Sequence, residues 1–189
     1  MPKIIADETI YEATIKVIME RGYTGATTKQ IAETAEISEV TLFRKYESKA
    51  NLVKQAIAFL AEQLDYETKA QYTGDPFADL LQIVEMYQGS VEESGRFLYT
   101  ILLELPRHPE LAEIIETPLN MMTHFGHLLV RYQKEGVLIE EHPLHSVATL
   151  LGPLMIANMV RLSTKDVPLP PIDLRNHVHN FLNGRLQTP

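Results

Sequence analysis

Apolar side chains recur at three- and four-residue intervals along nearly the whole chain, the period of an amphipathic helix rather than the alternation of a strand. Ile10, Ala13, Thr14, Val17 and Ile18 make the first such stripe, and Arg21-Gly22 closes it with a basic last turn and a glycine C-cap. Thr27-Thr28-Lys29-Gln30 has the spacing of a capping box, a hydroxyl at the N-cap and Gln three residues on, and opens a short helix through Ile31, Ala32 and Ala35. Ser38 is placed to cap a third helix through Val40, Leu42 and Phe43. Ser48 is placed to cap a fourth, containing Leu52, Val53, Ala56, Ile57, Leu60 and Leu64.

The pattern restarts after Tyr72-Thr73-Gly74. Asp75-Pro76 supplies an N-cap followed by proline at the first helical position, and Thr117-Pro118 repeats the device. Helical runs are predicted at 76–89, 92–105, 109–116, 118–135, 143–163 and 171–185, divided by Gly89, Pro106, Pro109, Gly136, Pro143 and Pro168-Leu169-Pro170-Pro171. No alternating run of strand length appears, so the predicted fold class is all-α. A three-helix N-terminal domain, residues 1–50, is expected to join through a fourth helix to a larger helical domain, residues 51–189.

Within the first domain, residues 28–46 hold two short helices and a tight turn, with the small Ala32 and Ala35 where helices must approach closely. That is a helix-turn-helix pattern. In such a motif the second helix enters the major groove, its N-terminal residues meet base edges, and flanking residues hold phosphates. Ser38, Glu39, Thr41 and Arg44 are accordingly assigned to the groove, and Lys29, Lys45, Tyr46 and Lys49 to the backbone, with Thr28 as a further DNA-binding position. Leu42 and Ile37 are expected to face inward, and Tyr23 to pack under the motif. Glu39 repels phosphate; it either accepts a hydrogen bond from a cytosine amino group or favours the helix N-terminus through the dipole, and the second reading is preferred.

The string Gly22-Tyr23, Thr27-Thr28, Ile31-Ala32, Ala35, Ile37-Ser38, Thr41-Leu42-Phe43, Tyr46, Ser48-Lys49 and Leu52 resembles, in order and without a gap, the DNA-binding domain of TetR-family bacterial transcriptional regulators. The resemblance covers about residues 7 to 60. It implies a homodimer that places one third helix in each half of a palindromic operator. It also implies a C-terminal ligand-binding domain whose last two long helices pair across the dimer, and repression as the usual outcome. Two positions depart from the pattern. Glu36 stands where the family usually has Gly in the turn, and a residue with a Cβ there costs roughly 1 kcal/mol. Lys45 stands where the family often has His or Tyr, and offers a phosphate a point charge instead of a ring donor.

The later helices carry flexible and aromatic side chains suited both to an adaptable apolar cavity and to ordinary core. Gln63, Met86, Tyr87, Phe97, Met121, His124, Phe125, Met155 and Met159 are the candidate ligand-pocket residues, with His127 three positions from His124 on one helix face. Leu151, Leu154, Asn158 and Leu162 on one helix, with Val178, Phe181 and Leu182 on the last, are the candidate dimer interface. The pairs His124/His127, His142/His145 and His177/His179 have spacing that permits two metal ligands, but no Cys and no HExxH pattern accompanies them, so no metal and no other cofactor is expected. No Gly-rich phosphate loop and no GxSxG elbow is present, and an enzyme is not expected.

Charge refines this picture. The 189 residues hold 17 Lys and Arg against 25 Asp and Glu, a net charge of −8 that by itself argues against nucleic acid. Residues 1–54, however, hold 8 basic and 8 acidic side chains, and residues 55–189 hold 9 and 17, so the whole excess lies outside the motif. An acidic body is expected to weaken non-specific adhesion to DNA. The apolar stretch Val147 to Ile156 is interrupted by Thr149, Gly152 and Pro153 and falls short of the roughly 20 residues that span a bilayer. Met1 to Glu8 turns acidic before any signal-like apolar run develops. A cytoplasmic protein without a membrane partner is expected. Its partners would be a double-stranded DNA operator, a second copy of itself and a small, mainly apolar ligand. The alternative is a helical ligand-binding or adaptor protein whose DNA-binding motif has degenerated.

Overall fold

The computed structural model describes residues 6–91, 95–163 and 169–186; Pro168 of the proline-rich breaker, and positions 92–94 of the expected 92–105 helix, lie outside the described residues. Among the described residues the chain is helical and has no strand, only an isolated antiparallel bridge between Leu138 and Leu186. In chain order the helices are α1 (Asp7–Gly25), α2 (Thr28–Thr34), α3 (Glu39–Tyr46), α4 (Lys49–Leu64), α5 (Tyr66–Lys69), α6 (Pro76–Ser90), α7 (Arg96–Glu104), α8 (Glu116–Lys134), α9 (Pro143–Ser163) and α10 (Leu174–Asn183). Short 3-10 helices at Leu105–Arg107 and Pro109–Ile115 join α7 to α8. The all-α class is as the periodicity predicts.

Where boundaries follow local capping chemistry they fall as the sequence predicts. The Thr27 hydroxyl accepts from the Gln30 amide while the Gln30 side chain accepts from the Thr27 amide, a complete capping box. Ser38 caps α3, Ser48 accepts from the Asn51 amide at the start of α4, and Asp75 caps α6 ahead of Pro76. Other boundaries differ. The expected helix at 109–116 is a 3-10 segment, and α8 starts at Glu116, which puts Thr117 and Pro118 inside its first turn, where proline costs no hydrogen bond. The four-residue α5 was not predicted, and α10 begins at Leu174, capped by Asp173.

The chain packs into two compact units. The first is Met1–Gln63 with Ser94–Thr117, the second Leu64–Glu93 with Pro118–Pro189. Packing thus groups α4, α7 and the 3-10 segments with the N-terminal helices, a different partition from the functional division expected at residue 50. In the first unit, Val17, Ile18, Ile31, Leu42, Leu52 and Val53 share one core with Phe97, Ile101, Leu111 and Ile114. Polar contacts reinforce it: the Thr24 hydroxyl and His108 Nε2 lie 3.0 Å apart, and Lys54 pairs with Glu113 at 2.9 Å and Glu116 at 3.1 Å.

In the second unit, α6, α8, α9 and α10 bury Leu80, Ile83, Val84, Phe125, Leu129, Tyr132, Val147 and Leu150. The buried Asp79 carboxylate accepts from the Tyr132 hydroxyl at 2.5 Å and from the Thr73 amide and hydroxyl at 2.9 and 2.5 Å. A buried carboxylate persists because its oxygens are so engaged. The same burial, and then Asp79, holds the Tyr132 hydroxyl well above the ordinary phenol range.

This core corrects the expected dimer surface. Leu151, Leu154, Val178, Phe181 and Leu182 are buried within the single chain, and Asn158 is buried and hydrogen-bonded to Gln88. A side chain already removed from water has no further area to bury against a partner. Of the expected set only Leu162 is exposed. The outward side of α9 instead carries Ala148, Thr149, Met155 and Ile156, the last two 42% and 56% exposed. The helix also runs on through Gly152 and Pro153, so Pro143–Leu162, with mean hydropathy 1.3, is long and apolar enough by composition to cross a membrane. Its inward residues supply the second core, which accounts for much of that apolar content.

Candidate nucleic-acid interface

The α2–α3 corner is fixed by backbone bonds. The Ile37 amide donates to the Ala32 carbonyl at 2.9 Å and the Glu36 amide to the Glu33 carbonyl at 3.2 Å, the paired bonds of a Schellman C-cap. The residue between them must be left-handed, and Glu36 has φ +56. Glycine adopts that conformation without a Cβ penalty. The turn thus forms with glutamate and carries the strain that its position implies.

On α3, Leu42 and Tyr46, four residues apart, lie on the buried side. Opposite them Glu39, Val40, Thr41, Phe43, Arg44 and Lys45 are exposed. Ser38 Oγ accepts from the Thr41 amide and lies 2.8 Å from the Thr41 hydroxyl, so the two hydroxyls sit together at the N-terminus of the helix. The Thr28 hydroxyl donates to the Glu39 carboxylate at 2.6 Å, tying the start of α2 to the first turn of α3. Glu39 therefore has the helix-terminus placement preferred from the sequence, with a tether in addition. Lys29 is exposed on α2.

Three of the positions assigned to phosphate are otherwise occupied. Lys49 is half-buried; its ammonium donates to the Tyr23 and Ala26 carbonyls at 2.7 and 2.9 Å and lies 4.0 Å from the centroid of the Tyr23 ring. It satisfies carbonyls left over at the end of α1. Burial pulls its pKa down, and Glu110 and Glu104 oppose the shift. Tyr46 is buried, edge-on to Tyr11 with centroids 6.0 Å apart, and its hydroxyl has no hydrogen-bond partner in good geometry. Lys45 is exposed but ion-paired with Asp7 at the start of α1. Arg44 and Lys29 remain as outward cations of the assigned set.

Sequence reasoning missed Val40 and Phe43 as outward residues. Val40 is 77% exposed and Phe43 60%, although both are apolar and were read as part of the helix stripe. The signal was available: neither falls on the Leu42/Tyr46 side. Tyr23, Ile37 and Leu42 lie as expected, with Tyr23 and Leu42 buried and Ile37 partly so.

The candidate pocket residues do not form one group. Phe97 is fully buried in the first core, and Gln63, of the same unit, is exposed. Met86, Tyr87 and Met121 are partly buried against the second core, Phe125 lies within it, and Met155 is exposed while Met159 is partly buried. His124 is partly buried beside Tyr66, ring centroids 5.4 Å apart, and Tyr66 also meets Phe125 at 6.1 Å. Among the described residues, no three His, Asp or Glu side chains are placed to share a metal ion.

A capped helix-turn-helix with an outward second helix is the arrangement in which that helix can enter the major groove of DNA. Residues 10–56 match the family described as bacterial regulatory proteins, tetR family. An uncharacterized HTH-type transcriptional regulator of Mycobacterium tuberculosis is 28% identical over 103 residues, 54% of this chain and 50% of the relative. YvkB, an HTH-type transcriptional regulator of Bacillus subtilis, is 35% identical over 79 residues, 41% of this chain and 40% of the relative. The chain thus spans at most about half the length of these relatives. Among solved structures, the fold is shared with a transcriptional regulator from Rhodococcus sp. (TM-score 0.72, 18% identity, 97% of this chain and 100% of that one). It is also shared with the flavonoid-responsive regulator FrrA (TM-score 0.70, 19% identity, 95% and 96%).

Proposed function

We propose that the protein is a sequence-specific DNA-binding transcriptional regulator of the cytoplasm, a repressor that binds a palindromic operator as a homodimer and responds to a small, mainly apolar ligand. The observation that carries the reading is α3: anchored inward by Leu42 and Tyr46, capped by Ser38, and presenting Val40, Thr41, Phe43 and Arg44 outward, with Lys29 beside it on α2. Phosphate contact falls to Arg44, Lys29 and the first-turn hydroxyls. Lys45 joins them only by giving up Asp7.

The outward side of α9, with Met155 and Ile156 at its centre, supports association with a second copy. The effector site is assigned to the second unit, where the partly buried His124 and Tyr66 meet and where Met86, Tyr87 and Met121 pack, partly buried, against the same core; FrrA, of the same fold, is described as flavonoid-responsive. Response to ligand is a two-state shift in which the recognition helices leave the one-turn separation of roughly 34–36 Å, with a coupling of about 1–3 kcal/mol. The sharing of one core between α1–α4 and residues of the 97–114 segment supports such coupling, because that segment cannot repack without disturbing Val17, Leu52 or Val53. No catalytic role is assigned.

Selection from random duplexes by the purified protein tests this reading. The expected result is an enriched inverted repeat. Failure to enrich any sequence at low salt contradicts it and favours the adaptor alternative, which Glu36 in the turn would help explain.

A further inference from the structure

Val40 and Phe43 are the two apolar departures from the polar outward side of α3, and neither belongs to the buried core. Each lies off the Leu42/Tyr46 side, and 77% and 60% of their surface faces solvent. An apolar side chain exposed singly needs no explanation, but here two stand three residues apart, with Arg44 one position further on. Such i, i+3 neighbours have Cβ atoms about 5–6 Å apart.

In the major groove only one base presents a methyl group, the C5-methyl of thymine, and the polar base-edge features there are hydrogen-bond donors or acceptors. Val40 and Phe43 can donate and accept nothing. We infer that these two side chains are specificity-determining residues that read thymine methyl groups within the operator. This rests on the DNA-binding reading above and adds to it the composition of the site. With bases stacked about 3.4 Å apart along a strand, a separation of about 5–6 Å fits two methyls one or two base steps apart in each half-site. Arg44 beside them supplies the positive charge that holds the pair against the duplex, by phosphate or by guanine.

The experiment uses the full-length protein and the duplex it enriches from a random pool. Thymidine is replaced by deoxyuridine one position at a time, which deletes the methyl and leaves the hydrogen-bonding edge intact. The wild type should lose affinity by about fourfold per contacted methyl, the burial of one methyl-sized group, at one or two positions per half-site. Val40→Ala and Phe43→Ala should each abolish the effect at one of those positions, with thermal stability unchanged because both side chains are exposed. Indifference of the wild type to deoxyuridine at every position overturns the inference while leaving the regulator reading intact. So does sensitivity that survives in both variants, or a change of oligomeric state in either, which would assign the pair to a protein contact. Failure to enrich any duplex overturns the regulator reading, and this inference with it.

Discussion

The Lys49 ammonium lies 4.0 Å from the centroid of the Tyr23 ring and donates to the Tyr23 carbonyl at 2.7 Å, which makes this lysine a fastener between the start of α4 and the end of α1. The expected result of Lys49→Met is a loss of stability of about 1–3 kcal/mol, from the two charge-assisted hydrogen bonds it removes. Denaturant unfolding measures this. Because the ammonium is committed to carbonyls, the salt dependence of DNA binding should not change; a reduced slope would return Lys49 to the phosphate contacts.

Tyr23 gives the same contact a pH dependence. Burial, and then the nearby Glu110 carboxylate, pushes its hydroxyl from 10.0 up to about 12. A raised pKa means that the folded state holds the proton more tightly, so the contribution is fully present below pH 10 and is lost as pH rises through about 12. Lys49, shifted down, acts with the opposite sign in the alkaline range. Thermal unfolding across this window should show a decline that is smaller in Tyr23→Phe than in the wild type.

Glu36 at φ +56 makes a third case. Glu36→Gly should stabilise the protein by about 0.5–1 kcal/mol, the left-handed penalty less the backbone entropy that glycine loses. Unchanged or lower stability would mean that the glutamate side chain compensates for its backbone.

Association is tested at Ile156, exposed in the single chain. Ile156→Asp should leave the melting temperature of the monomeric fold nearly unchanged but raise the dimer dissociation constant at least tenfold by sedimentation. An unchanged dissociation constant would contradict the assignment of this face to association.

Much of the fold is legible in the sequence where the determinants are local. The capping box at Thr27/Gln30, the Ser38 cap and the Asp75-Pro76 start all act over three residues, and all stand where read. The non-local features were not legible. Nothing near Phe97 or Leu111 announces that they complete the core of helices some 40 residues or more upstream. Likewise, the apolar faces of α9 and α10 look the same whether buried by their own chain or by a partner. Lys49 and Tyr46 are assigned to phosphate by residue type, a cation and a phenol, whereas in the fold one bonds to backbone carbonyls and the other is buried. Tyr46 shares the Leu42 side by spacing, a signal that outranks residue type, whereas the partners of Lys49 become neighbours only on folding.

The central claim is that the outward face of α3 meets DNA through Arg44. Affinity for the selected duplex, measured by fluorescence anisotropy over a range of salt concentrations, tests it most directly. For Arg44→Ala the slope of log affinity against log salt should be shallower by roughly 1 per subunit than for the wild type, with fold and dimerisation unchanged. An equal slope and equal affinity in the two proteins would contradict the claim.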